Sequence, residues 1–293
     1  MSFTSQIKEE ISQISDSARH CRLAELAAIS VFEMENAADG SLCFKAEQPF
    51  IRQTLVMLLS KLYNIQDAVP ESGRIVIKKD TADIAESLKI NEADAGVVSG
   101  LLLRQSCCKR AYLRGMFLCG GSVSDPRKGY HLEIVCQKEE TADQLCGVFA
   151  DFEVQARKTA RKGRTLVYIK ESEAISEALN IIGAHRSLME LENLRIEKDI
   201  RNDTNRRVNC DTANIEKMLA ASNRQLEDIR FLKNHGLLGS LPEGLKEMAE
   251  VRLEYPELKL NDLGALMDPP IGKSGVNHRL RRLSKLAEEE RNK

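Results

Sequence analysis

Leu113-Arg-Gly-Met-Phe-Leu-Cys-Gly-Gly121 sets glycines at 115, 120 and 121 and a small Cys119 inside an otherwise apolar run. Small residues on a helix let a second helix approach with the two backbones close together. About 87 residues earlier, Leu26-Ala-Ala-Ile-Ser-Val-Phe-Glu-Met34 is similarly Ala-rich. Two such helices, one per repeat, would pack about a pseudo-twofold axis.

Outward from these runs the repeat continues. Ile75-Val-Ile-Lys-Lys79 followed by Ala82–Leu88 is echoed by Leu166-Val-Tyr-Ile-Lys170 followed by Glu173–Leu179, at an offset of 91. Leu42-Cys-Phe44 and Leu132-Glu-Ile134 are strand-like pieces 90 apart. Apolar residues recur at period two in Ser41–Glu47 and His131–Cys136, as a half-buried strand requires. Each unit reads helix, strand, helix, strand, helix. In the second unit a hairpin is expected from Phe152 to Lys170. Its turn region, Arg157-Lys-Thr-Ala-Arg-Lys-Gly-Arg164, carries the Gly of a turn and five further cations. Arg157, Lys158, Arg161, Lys162 and Arg164 read either as a solvated tip or as a phosphate-contacting patch.

From Glu171 to His235 the pattern is helical, with apolar residues at Ile175, Leu179, Ile182, Leu188, Leu191 and Leu194. Arg201–Asn214 breaks it with Arg201, Arg206, Arg207 and four Asn residues. Asn is a poor interior helix residue and a good cap, which favours a helix junction here. The other reading is positioning of a nucleic-acid backbone by Arg206 and Arg207. Asn234-His235-Gly236 is a helix stop.

Three helices then follow. Pro242–Leu253 opens on a proline and turns Leu245, Met248 and Ala249 inward. Leu258–Met267 is short and bears Leu260, Leu263 and Leu266. Asp268-Pro-Pro270 forbids its continuation. Lys273-Ser274 opens the last helix, with Ser274 as its N-cap. At about 100° per residue, Val276, Leu280, Leu283 and Ala287 fall within roughly 60° of one another. Ser274, His278, Arg281 and Lys285 lie opposite, flanked by Asn277 and Arg282. Residues 271–293 hold seven Lys or Arg and three acids, all three at Glu288–Glu290. A recognition helix in a DNA major groove needs this arrangement, since Arg can donate twice to guanine and Asn can pair with adenine. A solvated amphipathic helix would share the pattern.

At this point the sequence resembles a known family. The two small-residue helices look like degenerate LAGLIDADG motifs of homing endonucleases. The run Cys107–Pro126 with Tyr130–Ile134, the segment Asn205-Arg-Arg-Val-Asn-Cys-Asp-Thr-Ala-Asn214, and Pro269–Arg282 are similar to the WhiA family of bacterial regulators. The resemblance covers the chain from about residue 20 to its end. It implies an α+β fold: a duplicated LAGLIDADG-like platform of two pseudo-symmetric repeats with antiparallel sheets, then an all-α helix-turn-helix domain. The expected divisions are 1–104, 105–190, a helical connector over 191–235, and 236–293. LAGLIDADG nucleases place an acidic residue at the base of each helix, and the facing pair holds divalent metal beside the scissile phosphates. The corresponding positions here are Glu33 and Gly120. Glycine supplies no side-chain ligand, so the expectation is a scaffold without nuclease chemistry and with no metal or other cofactor. Asp125, five residues further on, reads as a turn former beside Pro126.

The family resemblance further implies a regulator of transcription linked to sporulation, or to cell division and chromosome segregation. Its expected partners are double-stranded DNA, through Lys273, Ser274, Asn277, His278, Arg281, Arg282 and Lys285, and the transcription machinery. No membrane and no small-molecule substrate is expected. Two other functions fit parts of the sequence: an active endonuclease, and an adaptor whose basic face meets an acidic protein.

Composition sets the outer bounds. The 293 residues are 30% charged and 42% hydrophobic, which places the chain among globular proteins. The net charge of −1 says little about nucleic acid, because patches matter more than the sum. The start, MSFTSQIKEEISQI, does not read as a secretory signal. Leu55–Leu59 and Val97–Leu103 fall far short of the roughly 20 residues a membrane span needs. Eight cysteines occur without a C-x-x-C pair, so spacing gives zinc little support, and most read as small buried apolar residues. Scattered cysteines in a long chain fit a reducing, cytoplasmic setting, and the family resemblance implies association with the nucleoid.

Overall fold

The computed structural model describes residues 1–36, 40–66, 73–89, 96–161 and 163–293. Lys162 therefore lies outside the described residues. The chain divides into two compact units, Met1–Asp199 and Ile200–Lys293.

The first unit contains both repeats. After α1 (Phe3–Ser12), the first repeat runs α2 (Arg19–Glu33), β1 (Met34–Asn36), β2 (Leu42–Lys45), α3 (Pro49–Tyr63), β3 (Arg74–Ile77) and α4 (Thr81–Leu88). The second runs α5 (Ser106–Gly120), β4 (Gly121–Val123), β5 (Leu132–Cys136), α6 (Glu139–Ala150), β6 (Arg157–Arg161), β7 (Arg164–Ile169) and α7 (Ser172–Ile182). Both sheets are antiparallel, in the orders β1-β2-β3 and β4-β5-β7-β6. The duplication thus stands. The five-element reading of each repeat omits the three-residue strands β1 and β4 and the edge strand β6, none of which shows apolar alternation.

The two small-residue helices sit side by side at the centre. Leu23–Ser30 of α2 and Ala111–Leu118 of α5 are buried without interruption, the signature of a helix enclosed on all sides. Gly115 makes this possible. A Cβ there would stand 2.9 Å from the Ala28 Cβ and 2.9 Å from the Glu25 carbonyl oxygen. Between the helices, the fully buried Glu25 accepts a 3.0 Å bond from Arg114 Nε, and the same guanidinium also bonds Asp16. Burial pushes the Glu25 carboxyl up, while the neighbouring guanidinium opposes that rise. Around this pair one continuous core joins α1, both sheets and α3 to α7.

The expected turn over Arg157–Arg164 is corrected. Residues 157–161 are the outermost strand of the second sheet, paired in register with β7 from Arg157↔Tyr168 to Arg161↔Arg164. A charged edge strand resists pairing with other chains, so a run of cations is compatible with strand structure there. Asp125 does form a turn, accepting a 2.9 Å bond from the Arg127 amide on Oδ1.

The expected helix junction over Arg201–Asn214 is also overturned. A single helix, α8, runs from His185 to Asn234. An interior Asn costs at most about 0.7 kcal/mol, too little to end a helix by itself. Within the stretch Thr204 Oγ1 bonds back to the Ile200 carbonyl at 2.9 Å, and Arg207 pairs with Asp203 at 2.8 Å. Glu10 secures the start of α8, accepting bonds from the Arg186 and Ser187 amides at 2.7 and 3.0 Å. Gly236, at φ 72°, follows its end.

The second unit packs the end of α8 with α9 (Glu243–Glu254), α10 (Leu260–Ala265) and α11 (Lys273–Arg291). Its core is Ile229, Leu232, Met248, Ala249, Leu263, Met267, Val276, Leu280, Leu283 and Ala287. The helix α10 is shorter than the expected Leu258–Met267. Leu266 is 47% exposed and Met267, beyond the helix, is buried in its stead. Gly264 is required at the bend: a Cβ there would lie 2.1 Å from the Ile271 carbonyl oxygen, and Ile271 N donates to the Gly264 carbonyl at 2.9 Å.

Candidate nucleic-acid interface

The last helix sorts its side chains by face. Val276, Leu280, Leu283 and Ala287 are at most 1% exposed, so the aliphatic stripe lies against α9 and α10. Two cations of α11 are spent on fixing it in place. Arg279 Nη1 donates to the Gly244 carbonyl at 3.2 Å, and Arg291 pairs with Asp228 at 2.7 Å while its guanidinium covers the Phe231 ring at 4.8 Å. Lys273, Ser274, His278, Arg281, Arg282 and Lys285 are exposed, and Asn277 is half-buried. Among the described residues, Arg281 and Arg282 make no ion pair, and Lys285 reaches Glu289 only at 3.8 Å. The helix therefore offers a cationic surface that internal bonds do not consume.

Ser274 is not the N-cap. The helix starts at Lys273, Gly272 occupies the cap position, and no side chain caps it. Ser274 is the second helical residue and points to solvent with its basic neighbours.

The structure adds residues that the wheel could not supply. Lys217 of α8 and Lys259, at the N-cap of α10, line one groove with Lys273 and Asn277. They come from three separate elements, and only the packed unit brings them together. The one available signal was Lys259, a cation immediately before the second of three short helices.

In the first unit, the basic edge strand divides. Lys158 turns toward α6, where it bonds Asp143 at 2.6 Å and Glu139 at 2.8 Å, and these carboxylates hold its pKa above the ordinary value. It is a strap between strand and helix. Arg157 and Arg161, two residues to either side of Thr159, lie on the alternate face. Arg161 and Thr159 share a shallow depression with His131, Glu133, Tyr168 and Lys170, and Arg157 lines a second beside Tyr168 and Lys170. Arg164 lines a third depression with Phe32, Cys119, Gly120, Val135 and Gln137. On α8, Arg206 and Arg207 are exposed, the latter paired with Asp203.

That third depression lies at the ends of α2 and α5, where Glu33 and Gly120 are the two terminal residues. A side chain at 120 would meet the Val135 carbonyl oxygen at 2.5 Å and the Phe32 ring at 3.0 Å. The position is closed to a carboxylate as it stands. Glu33 is half-buried; burial raises its pKa, against the pull of Lys45 and Lys8. Among the described residues it belongs to no cluster of three or more potential metal ligands.

Comparison with known proteins decides the kinship. The WhiA LAGLIDADG-like domain matches residues 109–201, and the WhiA C-terminal HTH domain matches residues 204–287. A protein of Alkaliphilus oremlandii named "Probable cell division protein WhiA" is 41% identical over 310 residues, covering 98% of this chain and 97% of that one. The chain belongs to the WhiA family. A second WhiA relative, from Heliobacterium modesticaldum, is 41% identical and covers 98% of this chain and 96% of its own. The crystal structure of full-length DUF199/WhiA from Thermatoga maritima matches with a TM-score of 0.61 at 26% identity, covering 99% of each chain. The α+β architecture of a LAGLIDADG-like platform followed by a helix-turn-helix domain is thus the WhiA architecture. No described helix of this WhiA-family chain is long and apolar enough to cross a membrane.

Proposed function

We propose that this chain is a non-catalytic DNA-binding regulator that grips double-stranded DNA through the exposed face of α11. The observation that carries the reading is the division of that helix. Its aliphatic stripe is sealed in the second unit, and Lys273, Ser274, His278, Arg281, Arg282 and Lys285 face solvent, Lys285 alone among them pairing, with Glu289 at 3.8 Å, among the described residues. Arg281 and Arg282 supply forked donors for guanine edges or phosphates, and Asn277 can pair with adenine. Lys259 and Lys217 extend the cationic surface beside the helix N-terminus, where phosphate contacts fix register.

The platform contributes a second, weaker surface. Arg157 and Arg161 stand on an open sheet edge with Tyr168 and Lys170, suited to a phosphate backbone. A protein of the transcription machinery is the alternative occupant of that face. Nuclease chemistry is not part of the reading: one half-buried carboxylate faces a glycine with no room for a partner, and a symmetric metal pair needs both. Relatives named "Probable cell division protein WhiA" support cell division as the regulated process; sporulation and chromosome segregation belong to the same proposal, as does residence on the nucleoid.

Supercoiled plasmid incubated with protein and Mg²⁺ tests both halves. The expected outcome is a retarded band of intact plasmid. Linear or nicked product would return the endonuclease reading. No retardation at low salt would favour the adaptor reading, in which the basic face meets an acidic protein.

A further inference from the structure

No C-x-x-C spacing announces it, yet the fold draws four soft ligands to one point of the first unit. His20 and Cys21 open α2, and Cys107 and Cys108 open α5. One ligand atom from each, the imidazole nitrogen and three Sγ atoms, lies within 4.8 Å of all the others. The His20 Nδ1 is 3.1 Å from Cys108 Sγ, 3.3 Å from Cys21 Sγ and 4.0 Å from Cys107 Sγ. The two residue pairs are 87 apart in sequence, the same offset that relates Glu33 to Gly120 at the other ends of these helices. The pseudo-twofold that pairs α2 with α5 thus brings equivalent positions of the two repeats face to face.

We propose that His20, Cys21, Cys107 and Cys108 form a structural site for a thiophilic divalent cation, Zn²⁺ by class, that staples the first repeat to the second. A tetrahedral ion with Zn–N near 2.0 Å and Zn–S near 2.3 Å sets N···S edges of about 3.5 Å and S···S edges of about 3.8 Å. The three observed N···S separations straddle that value. Four protein ligands complete the tetrahedron and leave no open position, which makes the role structural and not catalytic. The set is one imidazole and three thiolates, which favours Zn²⁺ over the oxygen-seeking Mg²⁺ or Ca²⁺. Each thiol that ligates releases its proton to solvent, and the neutral imidazole binds through Nδ1. The resulting centre carries a net charge of −1, and Arg19, Arg22, Lys109 and Arg110 are its immediate neighbours in sequence. A disulfide within the Cys107–Cys108 pair is disfavoured, because adjacent side chains on a helix diverge.

The test uses the full chain, reduced, stripped with a chelator and titrated with Co²⁺ as the spectroscopic probe for Zn²⁺. The expected result is one ion per chain, with the intense visible bands of tetrahedral cobalt, thiolate-to-cobalt charge transfer in the near ultraviolet, and displacement by Zn²⁺. Cys107→Ser and His20→Ala alter the two exposed ligands, so the helices should still form. Each should weaken Co²⁺ binding by more than about 100-fold, since even outer-shell partners are worth about 10–100-fold. Cys43→Ser and Cys210→Ser should leave the titration unchanged. Zn²⁺ should raise the unfolding midpoint of the parent and not of Cys107→Ser. Only the faint absorption of octahedral cobalt, an unchanged titration in Cys107→Ser, or a reduced protein that binds no metal and closes a disulfide in air would each overturn the site.

Discussion

The helices α5 and α11 both carry arginines beside an apolar stripe, and they end with opposite roles. In α5 everything from Ala111 to Leu118 is buried, Arg114 included. That arginine is buried and held by Glu25 and Asp16. In α11 burial recurs only at Val276, Leu280, Leu283 and Ala287, and Arg281 and Arg282 stay in water. The first helix resembles a nuclease motif and serves as the axle of the first unit; the second keeps one charged face open on the second unit. The lesson is that an arginine's role follows from the periodicity of burial around it and not from its motif. A helix enclosed on all sides spends its charges on itself.

Exchanging readouts between the two helices puts that comparison at risk. Arg114→Ala leaves Glu25 buried without its partner and should cost about 3–5 kcal/mol of stability. Chemical denaturation followed by circular dichroism measures it, and an unchanged unfolding midpoint would mean that the axle is not held as described. Arg281→Ala should do the reverse. Stability should stay within about 0.5 kcal/mol of the parent, as surface changes usually do. Affinity for duplex DNA should fall by roughly 10-fold, the lower range for a lost base or phosphate contact. Fluorescence anisotropy on a labelled duplex would show it.

Smaller effects sharpen the contrast within the platform. Arg157→Ala with Arg161→Ala should weaken DNA binding a few-fold at low salt. Lys158→Ala, whose ammonium is committed to Asp143 and Glu139, should leave DNA affinity alone and lower the unfolding midpoint only slightly, as loss of an exposed ion pair does. If Lys158→Ala costs more DNA affinity than the arginine pair, the two faces of β6 have been assigned the wrong way round. Smallest of all is Glu33→Gln. DNA affinity should be unchanged and plasmid should remain intact with or without the substitution; loss of a cleavage activity would expose a catalytic role.

Much of this was legible beforehand because it rests on period and offset. The stripe Val276-Leu280-Leu283-Ala287 repeats every three or four residues, and one face of a helix follows directly. The recurrence of Ile75–Lys79 at Leu166–Lys170 exposed the duplication, because two copies must bury equivalent positions. What stayed hidden depends on partners distant in sequence. Nothing near Lys158 says that Asp143 and Glu139 will take its charge. The Asn residues of 201–214 suggested a break, yet their individual penalties are too small to stop a fifty-residue helix. The groove lined by Lys217, Lys259 and Lys273 exists only once three elements meet. His20, Cys21, Cys107 and Cys108 escaped a search by spacing for the same reason: the repeat symmetry supplies their proximity.

The central claim is that the exposed side of α11 holds DNA by charge, and the salt dependence of binding measures that directly. Affinity for one duplex should be determined across a series of salt concentrations for the parent and for Arg281→Ala/Arg282→Ala/Lys285→Ala. Each cation removed from a phosphate should flatten the plot of log affinity against log salt by about 0.9, so the triple variant should be shallower by up to about 2.7. Parallel plots of equal affinity would contradict the account.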